Sequence, residues 1–63
     1  MKETKKAFLQ RLRWALFWRL PSGEVQAVVE DYSGFFADRM AEGRTEAEVC
    51  REFGAPVDVA RAI

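Results

Sequence analysis

Gly43-Arg44-Thr45-Glu46-Ala47-Glu48-Val49-Cys50-Arg51-Glu52-Phe53-Gly54-Ala55-Pro56 places two endings and two beginnings of helices within a short stretch of chain. Gly43 is the expected left-handed residue just past a helix C-terminus. Thr45 opens a capping box, Thr-Glu-Ala-Glu, in which the threonine hydroxyl and the Glu48 carboxylate satisfy each other's backbone N–H groups. A short helix over 46–53 follows, burying Val49, Cys50 and Phe53, and Gly54 ends it. Pro56 then suits the first position of a fourth helix, where its missing N–H costs nothing. Val57, Ala60 and Ile63 are expected to face inward there.

Upstream the same helical period continues. Phe8, Leu9, Leu12 and Leu16 form one stripe, which predicts a first helix over 3–20 that Pro21 stops. Ser22 is expected to cap a second helix running to about Glu42, with Glu24 in its first turn. Val25, Val28, Val29, Tyr32, Phe36 and Met40 share one face of it, with Phe35 at the edge. Gly34 weakens that helix by roughly 1 kcal/mol against alanine, so burial must hold it together. No segment alternates with period two beside a hairpin turn. The fold class is therefore all-α: a compact bundle of three helices plus a short C-terminal fourth helix.

Composition bounds what such a domain can do. The chain has 63 residues, 49% of them hydrophobic and 32% charged, which makes one small globular domain over 1–63. It has no histidine and a single cysteine, Cys50. A disulfide framework, histidine-based catalysis and a Cys/His zinc site are excluded. The carboxylates form no catalytic pair: Glu30 and Asp31 point to different sides of a helix, and Glu46, Glu48 and Glu52 suit a solvated face. The calcium-loop pattern and a phosphate-cradling glycine cluster are both missing. The expectation is a non-enzyme without cofactor or metal. Cys50 lies in the apolar stripe of its helix and reads as a small buried hydrophobe rather than a reactive thiol.

The lone cysteine suits a reducing, cytosolic compartment. The basic start is followed by an apolar stretch broken by Arg11, Arg13 and Arg19, so it makes neither a signal peptide nor a membrane span. Ile63 falls inside a segment that still reads as helix, and the expectation is a piece of a longer protein.

Formal charge is balanced but unevenly placed. Residues 1–20 carry Lys2, Lys5, Lys6, Arg11, Arg13 and Arg19 against Glu3, a net of +5; residues 21–63 carry a net of −5. The first helix either docks on its own acidic neighbours or is a basic amphipathic helix aimed at anionic lipid or an acidic partner. On that helix Trp14 and Trp18 stack at i, i+4 away from the Phe8–Leu12–Leu16 stripe, and Phe17 lies between the two faces. Either the fourth helix or further chain covers them, or another chain does. The candidate interface is Trp14, Phe17 and Trp18, and the isolated domain is expected to self-associate through it as a twofold homodimer. Residues 46–63 also imitate a helix-turn-helix. Its second helix, however, carries Asp58 and one base, Arg61, within the acidic part of the chain, so nucleic acid is not the expected partner.

The landmarks Phe8-Leu9-x-x-Leu12, Leu20-Pro21-x-x-Glu24, Asp31-Tyr32-x-x-x-Phe36, Gly43-x-Thr45-Glu46-x-Glu48-Val49 and Phe53-Gly54-x-Pro56 occur in an order that resembles the HAAS family of small bacterial helical domains. Trp14, Phe17 and Trp18 depart from it, standing where the family pattern is polar. The resemblance implies the N-terminal cytoplasmic domain of a bacterial membrane protein, with transmembrane helices further along. It further implies signalling by protein contact, with a PadR-like transcription regulator as a partner, and it brings no catalytic residues.

Overall fold

Thr4 decides where the first helix begins. Its hydroxyl accepts the Ala7 N–H at 3.1 Å, an N-cap bond, so α1 spans Lys5–Phe17 and not 3–20. The computed structural model describes residues 3–63; Met1 and Lys2, which open the basic start, lie outside the described residues. At the other end of α1 the Leu16 carbonyl accepts the N–H groups of both Arg19 and Leu20, at 2.9 and 3.0 Å. The chain tightens into a turn there because Pro21 disfavours helical backbone at the residue before it.

Pro21, and not Ser22, takes the N-cap position of α2, Ser22–Ala41. Proline at φ −59 and ψ 153 already points the chain into the helix, and its carbonyl accepts from Glu24 and Val25. Ser22 is thereby inside the first turn, where its hydroxyl makes no cap bond. Gly43, at φ +97, closes α2. Its N–H reaches the Met40 carbonyl at 3.0 Å and that of Arg44 reaches the Arg39 carbonyl at 3.3 Å, the paired bonds of a Schellman turn. The capping box forms as the sequence requires: Thr45 Oγ1 accepts from Glu48 N–H at 3.2 Å, and Glu48 Oε1 accepts from Thr45 N–H at 3.0 Å. It opens α3, Glu46–Phe53, and Pro56 opens α4, Pro56–Ala62. Among the described residues every regular element is a helix.

The four helices meet around α1. It packs on α2 and, just as extensively, on α4, while α3 closes the end formed by α1 and α2. Phe8, Leu12 and Leu16 supply its share of the core; Val25, Val29 and Phe36 come from α2, and Val49 with Cys50 from α3. Near α3 the core is aromatic. Phe36 lies 5.3 Å, centroid to centroid, from both Phe8 and Phe53, and Tyr32 lies 5.3 Å from Phe53. The radius of gyration is 11.2 Å, close to the roughly 10.6 Å of a compact chain of this length.

Three expectations about the core need correction. Met40 is on the expected side of α2 but exposed, because Phe8 in the second turn of α1 already packs on Tyr32 and Phe36, and residue 40 lies beyond it. Val57 and Ile63 are each 49% exposed, whereas Val59 and Ala60 are buried. On so short a helix the valines at 57 and 59 offer two competing faces, and docking against α1 selects the second. Tyr32 and Phe53 are half-buried, their rings edging the cluster rather than filling it.

Candidate functional site

Because Phe8, Leu12 and Leu16 must face the core, the roll of α1 about its axis is fixed, and its opposite side must face outward. Trp14 is 66% exposed, Phe17 59% and Trp18 80%. Neither α4 nor any other described element covers them. The indoles meet through Phe17, whose ring centroid is 5.9 Å from that of Trp14 and 5.2 Å from that of Trp18. Phe17 thus belongs to the exposed side with the tryptophans, not between two faces. The three rings form a continuous aromatic ridge over the last turn of α1. Two clefts lie elsewhere on the surface. One, of about 500 Å³, is bounded by Thr4, Phe8, Cys50 and Pro56; another, of about 440 Å³, by Lys6, Leu9, Arg13 and Val29.

The ridge stands on a helix with Lys5, Lys6, Arg11 and Arg13 and no acidic side chain. An acidic neighbour reaches its start: Glu46 Oε1 of α3 accepts the Lys5 backbone N–H at 2.8 Å, which places a carboxylate at the positive end of α1. Arg13 donates to Gln26 Oε1 at 2.9 Å, and Gln26 in turn donates to Glu30. Arg19 donates to the Ala60 carbonyl at 2.9 Å. This bond ties the turn after the ridge to the end of α4, and no local spacing announces it, since the two residues are 41 apart.

Carboxylates that could have suggested chemistry have structural partners. Glu52 holds Arg39 at 3.0 Å and also Arg44, and the Arg39 guanidinium lies 5.0 Å above the Phe53 ring. These arginine bonds keep the Glu52 carboxyl below its ordinary range, and the Thr45 backbone and hydroxyl do the same for Glu48. Cys50 is buried, its thiol directed at the Thr4 carbonyl 3.8 Å away. Burial first, then Glu3 and Glu46, push its pKa up, which disfavours the thiolate. In α4, Arg61 lies 3.8 Å from Asp58, both exposed. Among the described residues no group of three or more Cys, Asp or Glu could hold a metal ion, and no helix is long and apolar enough to cross a membrane.

A family model matches residues 7–62, nearly the whole described chain. The chain belongs to the HAAS family. No curated protein and no solved structure gives a match. The matched span takes in all of the core and both turns that carry glycine. The aromatic ridge lies inside the span as well, but it contributes nothing to the core.

Proposed function

We propose that this HAAS domain works by contact rather than by chemistry: a non-catalytic interaction and signalling domain forming the cytosolic head of a bacterial membrane protein. The observation that carries the proposal is the ridge of Trp14, Phe17 and Trp18, three large apolar side chains left in water by a domain whose core is complete without them. Exposed apolar surface of this extent marks an interaction site in a soluble domain. The non-catalytic part of the reading draws on the ionisable groups: Glu48 caps a helix, Glu52 holds two arginines, and the thiol of Cys50 is buried. Membrane association, the cytosolic location and a PadR-like regulator as protein partner come from the family resemblance. DNA readout by α3 and α4 is not favoured, because the second helix is packed on α1 and its one base has Asp58 beside it.

The test is a calorimetric titration of the purified domain with the PadR-like regulator of the same bacterium. Saturable heat is expected. Its absence at about 100 μM, where a contact of roughly 5–6 kcal/mol would register, removes the regulator from the proposal.

A further inference from the structure

We infer that α1 docks this domain on an anionic lipid surface, with Trp14, Phe17 and Trp18 entering the headgroup layer and Lys6 and Arg13 meeting lipid phosphates. The inference rests on the domain being the head of a membrane-associated protein, and it names what the ridge touches there.

Charge is the first argument. At about 100° per residue, Lys6 and Arg13 lie on the Phe17 side of the helix, Arg13 beside the ridge and Lys6 in the first turn, and α1 carries no acidic side chain to repel phosphate. A basic helix with tryptophan and phenylalanine on its outward face has the composition of an interfacial helix. Indoles favour the boundary between headgroups and acyl chains because the ring is apolar and its N–H is not.

Shape is the second. The ridge is convex, and the clefts of about 500 and 440 Å³ are lined by other residues. A convex ridge offers no groove to seat a peptide, whereas a fluid headgroup layer conforms to it.

Area and charge together decide against a second copy. At roughly 150–250 Å² per aromatic side chain, the exposed fractions leave on the order of 450 Å² on one domain. A symmetric pair would bury on the order of 900 Å², below the roughly 1,200 Å² of stable interfaces. Symmetry would also lay one all-basic helix against another. A membrane sets no such threshold, and its charge has the complementary sign.

Trp14 and Trp18 are the only tryptophans in the chain, so emission reports on the ridge alone. The experiment mixes the domain with vesicles of phosphatidylcholine, pure or with phosphatidylglycerol as about a third of the lipid. Emission and co-sedimentation are followed at low salt and at about 0.5 M salt. The parent is expected to sediment with the anionic vesicles, its emission moving to the blue, and to lose most of this binding at high salt. Trp18→Ala is expected to weaken binding about tenfold. Lys6→Gln/Arg13→Gln, at roughly fivefold for each charge, is expected to weaken it by ten- to thirtyfold. These positions are exposed, and circular dichroism of each variant checks that the helices persist. Equal binding to both vesicle types, or none to either, overturns the inference. So does blue-shifted emission with a doubled mass in the absence of vesicles, which assigns the ridge to a second copy. The regulator titration contains no lipid, so either result can fail without the other.

Discussion

Each side of α1 carries three large aromatic or aliphatic side chains, and their roles are opposite. Phe8, Leu12 and Leu16 on one side, and Trp14, Phe17 and Trp18 on the other, are all large and apolar. The first set is buried against α2, α3 and α4; the second stands in water. A helix surrounded by neighbours could bury both, but here α2 and α4 flank the inner side and leave the outer one open. Hydrophobicity alone therefore does not identify a core residue. What identifies it is whether another element of the chain is long enough, and correctly placed, to cover it.

That contrast is open to direct attack through stability. Phe36→Ala, at the inner contact with Phe8, should cost roughly 3–5 kcal/mol, most of what a domain of this size has. Trp18→Ser on the outer side should change it by no more than about 0.5 kcal/mol. Urea unfolding of both variants decides the matter. A Trp18→Ser loss comparable to that of Phe36→Ala would mean that the ridge is part of the core.

A smaller effect concerns backbone alone. Gly34 is exposed in the interior of α2, and a Cβ added there meets nothing within 4 Å. Gly34→Ala should therefore raise stability by about 0.5–1 kcal/mol through helix propensity, without any new contact. A lower melting temperature for this variant would show that the outward side of α2 is covered after all.

The smallest effect is electrostatic. Glu48 and Glu52 both have carboxyl pKa values lowered from the ordinary 4.5, the first by its bonds with Thr45 and the second chiefly by Arg39. Each binds a proton more weakly folded than unfolded, so the stability it contributes is fully present above about pH 4.5. That contribution is lost as pH falls through the folded-state values. Thermal melts between about pH 6 and pH 3 should show a decline that Glu48→Gln/Glu52→Gln flattens. An equally steep decline in the variant would place the acid sensitivity in other groups. Acid should leave ridge exposure unchanged until the fold itself is lost.

How far the sequence was legible follows from the range of the forces involved. Helix ends set by one residue and its neighbours were readable: the capping box at Thr45 and the left-handed turn at Gly43. The inner stripe of α1 was readable too, because Phe8, Leu12 and Leu16 repeat at helical spacing, and so was the placement of both tryptophans opposite that stripe. Other assignments went astray where two local solutions were nearly equal. Pro21 and Ser22 could each begin α2, and Val57 and Val59 could each face inward. For Met40 the periodicity was right but could not say where the neighbouring helix ends.

Sequence by itself therefore determined four helices, the capping box and the inner stripe of α1, since each of these is written in spacings of a few residues, and membership of the HAAS family, which is written in the order of landmarks along the chain. Only the tertiary structure decided that α4 packs on α1 through Val59 and Ala60, and that Arg19 reaches the Ala60 carbonyl. It also decided that no described element covers Trp14, Phe17 and Trp18. Those outcomes depend on the lengths and crossing of helices far apart in the chain. Burial is a property of what lies opposite a side chain, and local spacing carries no record of that.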